Sequence, residues 1–389
     1  MLPREAESKL KKLARKFPVV GVTGPRQSGK TILVRSVFKN YEYYSLEDMD
    51  VRMKAIEDPR GFLTQHEKGM IIDEVQNVPE LFSYLQRIVD ENKKMGQFIL
   101  TGSQNFMLLE KITQSLAGRV GLVQLLPFTL SELNLVKNRN AEDVDFWMYS
   151  GFYPPVYDRK IAPTDFYPQY IQTYVDRDVR NLKNIGDLNT FQKFVKLCSG
   201  RIGQLLNIHS LSSECGITLN TAKSWFSVLE ASYILFFLQP HHRNFHKRLV
   251  KSPKLYFYDT GVACSLLGIG SYKSLKTHYL RGSLFENLII AEYMKDRFNQ
   301  GLPNNNYFWR DNIGNEVDLV IEREEDVIPI EIKSGQTLNQ NFYDGLQYYC
   351  KLAKQELHEG ILIYGGDKSF RSLQDPQTVS WKRFKKGVI

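Results

Sequence analysis

A glycine-rich run near the N-terminus has the spacing of a phosphate-binding loop. Gly24, Gly29, Lys30 and Thr31 fit the pattern Gly-x4-Gly-Lys-Thr, with the apolar run 17–22 before them and a helix-forming run after them. Glycines let the backbone pass close to phosphate oxygens, and N–H groups at a helix N-terminus favour an anion. We expect Lys30 to contact the β- and γ-phosphates and Thr31 to ligate Mg²⁺. The predicted nucleotide-binding residues are Gly24, Pro25, Arg26, Gln27, Ser28, Gly29, Lys30, Thr31 and Ile32.

Two acids end the apolar run 69–72, about forty residues after this loop. Ligands gather at the carboxyl ends of parallel strands, so Asp73 is suited to hold Mg²⁺ through water. Glu74 is suited to polarise the attacking water as a general base. An acid pair after a strand is equally typical of a solvated strand end, and it is the preceding loop that favours a hydrolytic site.

A polar run follows the apolar residues 97–100. A side chain at that strand end can sense the γ-phosphate, and Ser103 is the first choice, with Gln104 and Asn105 as alternatives. An N-cap for the helix that follows explains the same run equally well. The predicted catalytic group is therefore Glu74, Lys30 and Ser103.

A second group of acids lies in the C-terminal region. Asp318 precedes Glu331 by thirteen residues and Lys333 follows two residues later, which matches a PD-(D/E)xK metal-nuclease site except that Val317 replaces its proline. Glu286, near the start of a helix, is the upstream acid. Carboxylates on adjacent antiparallel strands can bind one Mg²⁺ or Mn²⁺, and a lysine on the same strand face can orient a water. An ion-paired, inactive fold of the same architecture explains the pattern equally well.

The middle region has the element order of a winged helix. Helices are expected over 190–208 and 220–229, with a short helix and a glycine turn at 210–218 between them and a strand over 234–238. The last helix carries Lys223 but little other positive charge, which favours an interaction module over a reader of base sequence. The segment 241–254 has five Lys or Arg, three His and no acid, which is typical of a phosphate contact or of a solvated basic loop.

Strands and helices alternate around the phosphate loop. Further strands are expected at 42–46 and 120–125, and helices at 79–92 and 105–116. Alternation of this kind is typical of an α/β fold.

Residues 17–135 resemble the AAA-type ATPase domain of the additional-strand P-loop class. The resemblance implies a parallel sheet in which the strand bearing the two acids lies beside the phosphate-loop strand. It implies ATP rather than GTP, since the guanine-reading Asn-Lys-x-Asp motif is not evident. It also implies an arginine that completes a neighbouring subunit's site and hence a homo-oligomer; Arg119 is the first candidate and Arg177 the second, although a structural arginine is an equally simple explanation of Arg119.

The whole chain resembles the archaeal and bacterial ATP-binding proteins that join an AAA-type ATPase, a winged helix and a restriction-endonuclease-like domain. The resemblance rests on the motifs above and on the runs 116–119, 174–178, 247–257 with 259–261, and 315–318. The fold class it implies is a P-loop NTPase parallel sheet, then a mostly helical winged-helix domain, then an α/β restriction-endonuclease-like domain. The expected bounds are 1–145, 146–268 and 269–389.

Length and composition agree with two or three globular domains. The 389 residues are 42% hydrophobic and 24% charged, with a net charge of +8. Four scattered cysteines and a charged N-terminus favour a cytoplasmic protein without a membrane anchor. The positive charge is compatible with a nucleic-acid partner. DNA is expected ahead of RNA, and the sequence leaves the choice between them open.

Three functions fit these observations. The first is a Mg²⁺-dependent ATPase that acts with nucleic acid and carries a metal-dependent nuclease domain with a second Mg²⁺ or Mn²⁺. The second is an ATP-controlled regulatory switch whose C-terminal domain is an inactive interaction module. The third is a nuclease that binds nucleotide only as a structural element, and Lys30, Asp73 and Glu74 argue against it.

Overall fold

The computed structural model describes residues 2–66, 68–103, 115–134, 143–175, 187–241, 249–324, 326–371 and 375–383. Within these ranges the chain is an α/β protein with two sheets, one of five strands near the N-terminus and one of seven strands towards the C-terminus. Helices cover both sheets and fill the region between them.

The N-terminal sheet consists only of parallel strand pairs. Its strands are β1 (Val19–Thr23), β2 (Glu42–Ser45), β3 (Met70–Asp73), β4 (Phe98–Gly102) and β5 (Val120–Gln124), in the spatial order β2-β3-β4-β1-β5. The strands predicted at 42–46, 97–100 and 120–125 are confirmed to within two residues at each end.

One expectation about this sheet is wrong. The strand of the two acids, β3, does not lie beside β1, because β4 lies between them: Ile99 pairs with Val20 on one side and with Ile71 on the other. Every residue of β4 is buried. A strand that is apolar on both faces is stabilised most at the centre of a parallel sheet, and order along the chain does not reveal that position.

The helices around this sheet are α1 (Ala6–Ala14), α2 (Lys30–Val37), α3 (Met49–Glu57), α4 (Pro59–Thr64) and α5 (Leu81–Asn92). Side chains alternate along each strand and so divide between two cores. Ile71 and Ile99 belong to the cluster that includes α1 and α2 residues, whereas Ile72 and Leu100 belong to the cluster that includes α5 residues. Each of these buried side chains contributes about 1.5–3 kcal/mol, and together they fix the strand ends on which the site depends.

The middle region is mostly helical. Its helices are α6 (Leu130–Asn134), α7 (Val144–Ser150), α8 (Pro154–Asp158), α9 (Pro163–Tyr170), α10 (Leu188–Ser199), α11 (Ile208–Cys215), α12 (Leu219–Ala231), α13 (Thr260–Leu266) and α14 (Tyr272–Leu275). A π-helical turn, Ile171–Val175, continues α9.

The order of elements from α10 onward is helix, bridge, helix, helix, strand and strand. The bridge joins Leu205 to Lys254, and the two strands are β6 (Leu235–Pro240) and β7 (Lys254–Phe257), which pair antiparallel. The helix expected over 190–208 ends early, at Ser199. This order is the one expected of a winged helix, and the winged-helix assignment itself stays a prediction.

The C-terminal sheet extends the ribbon of β6 and β7. The later strands are β8 (Asn306–Arg310), β9 (Glu316–Arg323), β10 (Asp326–Lys333), β11 (Ile361–Tyr364) and β12 (Gln377–Ser380), and the order is β12-β11-β10-β9-β8-β6-β7. The long helix α15 (Arg281–Asn299) and α16 (Asp344–Ala353) pack on it. The sheet therefore runs across the predicted boundary at 268/269, and the domain bounds stay predictions.

Candidate functional site

The phosphate loop lies between β1 and α2, as its spacing predicts. Gly24 has φ +146°, and a Cβ there would lie 2.1 Å from the carbonyl oxygen of Leu125. Gly29 has φ +94°, which also favours glycine. Both glycines are therefore required by the path of the backbone, and the first residues of α2 line the cleft.

Lys30 lies across the loop. Its Nζ donates to the carbonyl oxygens of Gly24 at 3.0 Å and of Pro25 at 2.9 Å. The neighbouring Ser28 is buried, and its Oγ has no hydrogen-bond partner among the described residues. A buried hydroxyl without a partner is uncommon in proteins, and Ser28 is not among the residues that line the cleft.

A buried arginine supports the loop from behind. Arg4 donates to the Ser28 carbonyl oxygen at 2.7 Å and to the Leu126 carbonyl oxygen at 2.6 Å, and its Nε contacts Glu132 Oε1 at 3.1 Å. Nothing in the spacing of the motifs indicated Arg4, because its partners lie 24 to 128 residues away.

Thr31 and Asp73 meet at the carboxyl edge of the sheet. The Thr31 hydroxyl donates to Asp73 Oδ2 at 2.9 Å, and the Tyr43 hydroxyl donates to the same oxygen at 2.8 Å. Thr101 donates to Asp73 Oδ1. Two oxygen ligands suited to Mg²⁺ thus adjoin Lys30, and the strands β2, β3 and β4 hold Asp73 in place.

Glu74 follows Asp73 with φ +53°, an unusual conformation for a residue other than glycine. Ser103 donates to Glu74 Oε2 from its backbone N–H at 3.2 Å and its hydroxyl at 2.9 Å, and Gln76 donates to the same oxygen. Burial raises the pKa of Glu74, but the Lys30 charge, these hydrogen bonds and the Arg26 charge outweigh it and hold that pKa below its ordinary value. The carboxylate is therefore ionised, as a general base requires.

These side chains line one cleft of about 390 Å³. The middle region closes one of its sides with residues that sequence reasoning missed, namely Pro154, Pro155, Asp158 and Arg159, and Glu47 completes the rim. Pro154 and Pro155 occupy the first turn of α8, where a missing N–H is tolerated. The loop, the Thr31–Asp73 pair and the cleft volume fit a nucleoside triphosphate with Mg²⁺.

Two of the predicted loop residues are placed at the rim of the cleft. Arg26 contacts Glu47 Oε1 at 3.8 Å, and Ile32 is half exposed. Gln27 has φ +59° and also lines the cleft.

Arg119 lies at the opposite edge of the sheet from Lys30. Its carbonyl oxygen accepts from Val19 N at 3.2 Å, at the start of β1, whereas the loop follows the end of that strand. Its guanidinium binds both carboxylate oxygens of Asp90, at 2.6 and 2.8 Å. The site of the same chain is thus out of its reach. The alternatives Gln104, Asn105 and Arg177 lie outside the described residues.

The C-terminal acids also come together. Asp318 on β9 and Glu331 on β10 stand on neighbouring antiparallel strands, and Lys333 contacts Glu331 and lies 3.8 Å from Asp318 Oδ2. Asp318 Oδ2 accepts from Ile332 N at 2.8 Å. The sequence pattern therefore predicted this part of the cluster correctly as geometry, although its chemical role stays a prediction.

Glu286 on α15 completes the cluster with partners that the motif does not include. Lys254 on β7 donates to Glu286 Oε1 at 3.0 Å, and Tyr256 donates to the same oxygen. Lys254 also contacts Glu316, which binds Arg310 at 2.7 Å. One oxygen each of Glu286, Glu316 and Asp318 lies within 4.8 Å of the others. Glu316 could have been found in the sequence, since it precedes Asp318 by two and shares its strand face.

Burial dominates the protonation of these acids. It raises the pKa of Glu286 to about 7, against the lowering effect of Lys254, and Asp318 raises it further. Burial and Asp318 also raise the pKa of Glu331. Burial alone would lower the pKa of Lys254, but Glu286, Tyr256 and the other acids raise it well above its ordinary value. Lys254 is therefore a cation.

Half of the basic segment 241–254, residues 242–248, lies outside the described residues. His241 is buried and its Nε2 lies 2.8 Å from Glu322 Oε1, and Lys254 belongs to the acidic cluster. On α12, Lys223 is exposed. A phosphate-binding role for the segment stays a prediction.

Three family models match successive parts of the chain. Residues 16–134 match an AAA domain, residues 141–273 match a domain of unknown function (DUF8612), and residues 281–384 match another domain of unknown function (DUF4143). The first match covers the loop and Asp73, Glu74 and Ser103. The N-terminal region is thus an AAA-type P-loop ATPase domain, followed by helical and α/β regions.

Similar whole proteins carry no assigned function. An uncharacterized protein of Mycobacterium tuberculosis and one of Mycobacterium bovis are each 29% identical to the chain over 336 residues, covering 86% of this chain and 74% of the relative.

Two solved structures are distantly similar to the chain. The Walker-type ATPase of Pyrococcus abyssi is 13% identical with a TM-score of 0.44, covering 68% of this chain and 96% of its own. The RuvB Holliday junction branch migration motor of Thermotoga maritima is 18% identical with a TM-score of 0.31, covering 59% and 88%. Similarities with TM-scores below 0.5 do not assign a function to this chain.

None of the helices in the described ranges has the length and apolar character to span a bilayer.

Proposed function

We propose that this protein hydrolyses ATP with Mg²⁺ at the cleft between the AAA domain and α8, and that it acts with nucleic acid. The observation that carries the hydrolytic part is the contact of Thr31 Oγ1 with Asp73 Oδ2 at 2.9 Å, beside Lys30. It brings together the two Mg²⁺ ligands that such chemistry needs and places them next to the loop that binds phosphate.

Each side chain has one role in this proposal. The loop amides and Lys30 bind the β- and γ-phosphates, Thr31 and Asp73 hold the metal ion, and Glu74 accepts the proton of the attacking water. Bound Mg²⁺ supplies charge stabilisation to the phosphate oxygens. Ser103 keeps the Glu74 carboxylate oriented by its two donated hydrogen bonds.

Substitution of Glu74 by Gln tests the hydrolytic role. Glu74→Gln keeps the size and donors of the site but removes the base, so ATP binding is retained and turnover falls by about 10²-fold or more. The measurement is steady-state phosphate release together with binding of a fluorescent ATP analogue. Glu80→Gln, an exposed acid six residues later, is the matched control and keeps the wild-type rate. Unchanged turnover in Glu74→Gln would reject Glu74 as the base.

The net charge of +8 supports the nucleic-acid partner. We expect duplex DNA to stimulate the ATPase rate more than RNA of equal length, with a stimulation that weakens as salt is raised. Lys30→Ala, assayed in parallel, measures the background. A rate that no DNA or RNA changes would reject the nucleic-acid part and leave the ATPase part intact.

A second candidate function is an ATP-controlled regulatory switch with a catalytically inactive C-terminal domain that binds a partner protein. It is favoured by Lys254, because the ammonium group of this lysine lies among the acids that would have to bind metal in a nuclease. A plasmid-nicking assay with Mg²⁺ or Mn²⁺ separates the two functions. Cutting that is lost in Asp318→Ala and Lys333→Ala would establish the nuclease, and no cutting supports the switch.

A further inference from the structure

The C-terminal acidic cluster already contains a cation. Lys254 Nζ lies 3.0 Å from Glu286 Oε1 and also contacts Glu316, so it bridges two of the three carboxylates whose oxygens lie within 4.8 Å of one another. A metal ion bound by these carboxylates would need several oxygens at about 2.0–2.6 Å from its centre. The ammonium nitrogen and the metal ion cannot both occupy that small volume, and the residues present do not fit the metal.

The lysine is held where it is by its strand. Lys254 pairs with Leu238 on β6 and forms the bridge to Leu205, and only 2% of its surface is exposed. Its ammonium also lies 5.5 Å from the centroid of the Phe308 ring. Moving the side chain aside would leave a charged amine among apolar neighbours without its carboxylate partners, which is strongly unfavourable.

The charge balance of the cluster also disfavours a bound metal ion. The cluster has four acids, Glu286, Glu316, Asp318 and Glu331, and three cations, Lys254, Lys333 and Arg310, each in contact with at least one of the acids. A single proton shared among the acids makes the group neutral. A divalent cation that displaced this proton would leave the cluster with a net charge of +1.

We propose that the Lys254 ammonium takes the place of a divalent metal ion in the C-terminal acidic cluster, so that this site joins β7 to α15 and β9 instead of binding metal. Lys254 and Tyr256 are two residues apart and share a face of β7, and both donate to Glu286. The cluster thus stabilises the packing of β7 against α15 and β9. The proposal does not depend on ATP hydrolysis.

Titration of the nucleotide-free, full-length protein with Mn²⁺ tests this directly, with free Mn²⁺ measured by electron paramagnetic resonance. Wild type is expected to take up no more Mn²⁺ than Asp318→Asn does. Lys254→Met removes the charge and keeps the bulk, so it gains one Mn²⁺ site at least about tenfold tighter than any site in wild type. Its unfolding temperature then rises with added Mn²⁺. The double variant Lys254→Met with Asp318→Asn loses the gained site.

A matched control is Lys295→Met. Lys295 is as buried as Lys254 and binds Glu292 at 3.0 Å, but among the described residues it belongs to no cluster of three acids. Its replacement is therefore expected to create no Mn²⁺ site. Two results overturn the proposal: wild type binding one Mn²⁺ with micromolar affinity that Asp318→Asn abolishes, or a folded Lys254→Met that takes up none. If Lys254→Met does not fold, Lys254→Gln replaces it, and the wild-type titration still decides between lysine and metal.

Discussion

The carboxylate of Glu74 is kept ionised by its neighbours. Its folded pKa lies below the ordinary value, so it remains a base as the pH falls through that value and loses activity only at lower pH. Ser103→Ala removes one donor to Glu74, worth about 0.5–1.5 kcal/mol, so the acidic limb of the ATPase pH profile shifts upward by about half to one pH unit.

The pH profile of the ATPase rate between pH 4 and 8 is the measurement for this prediction. Ser36→Ala is the control, because Ser36 donates only to the Leu33 carbonyl oxygen within α2. Its profile matches wild type. An acidic limb that does not move in Ser103→Ala would show that Ser103 does not control the ionisation of Glu74.

Arg159 presents a second test at the cleft. It is the one arginine that the middle region adds to the lining of the cleft within the described residues, and a guanidinium is well suited to phosphate oxygens. Arg159→Ala is expected to weaken ATP binding by about tenfold, equivalent to about 1.4 kcal/mol. Lys160→Asn removes the adjacent exposed charge and leaves ATP binding unchanged. Equal effects of both variants would point to net charge rather than to a contact.

Local spacing explains why some site residues could be predicted and others could not. Asp73 ends β3 and Glu74 follows it, while Lys30 and Thr31 begin α2 after the loop that follows β1. A short run of sequence therefore contains both the position and the side chain of each of these residues. Arg159 and Lys254 reach their sites from other elements, and the contact of Lys254 with Glu286 spans 32 residues. Such contacts depend on how elements pack, which composition and periodicity do not determine.

The end of β1 connects the loop to the middle region. Thr23 Oγ1 and the Tyr233 hydroxyl lie 2.9 Å apart and are buried, and Gly24 follows Thr23 directly. Tyr233→Phe leaves the Thr23 hydroxyl without this partner, so the free energy of unfolding falls by about 1–3 kcal/mol. Urea denaturation measures it, and Tyr84→Phe, at a largely exposed tyrosine on α5, changes stability little. Equal stability of Tyr233→Phe and wild type would contradict a structural role for this contact.

The bounds of the individual strands were predicted more accurately than the order of the strands in the sheet. The strands of the N-terminal sheet follow from apolar runs bounded by polar residues, and the structure places them within two residues of the expected bounds. Their spatial order does not follow, as the central position of β4 shows. Likewise, Pro154 and Pro155 indicate a boundary between secondary-structure elements. The sequence alone does not show that they begin α8 or that α8 packs against the cleft.

The nucleotide cleft and the acidic cluster belong to one connected body within the described residues. Arg4 joins the phosphate loop to Glu132, and α15 reaches the same segment through Glu292, which accepts from Leu130 N at 2.8 Å. Glu286, six residues earlier on α15, lies about 9 Å along the helix axis from Glu292. A series of direct contacts therefore connects the loop to the helix that packs on the C-terminal sheet.

The assembly of several subunits into an oligomer also remains a prediction. Arg119 lies at the opposite edge of the sheet from the loop of its own chain and binds Asp90 there, so any action on a nucleotide requires a second subunit. If Arg119 completes the site of a neighbouring subunit, Arg119→Ala abolishes most ATPase activity while leaving its own loop intact. Lys30→Ala is inactive for the opposite reason, because it keeps the arginine and loses the phosphate contact.

Mixing the two inactive proteins tests action between subunits. In mixed oligomers an Arg119→Ala loop meets an intact Arg119 from its neighbour, so ATPase activity returns to a fraction that depends on the mixing ratio. Asp90→Asn frees Arg119 from its partner and is expected to keep activity. If the mixture stays inactive although light scattering shows mixed oligomers, Arg119 does not complete a neighbouring site, and its pairing with Asp90 is structural.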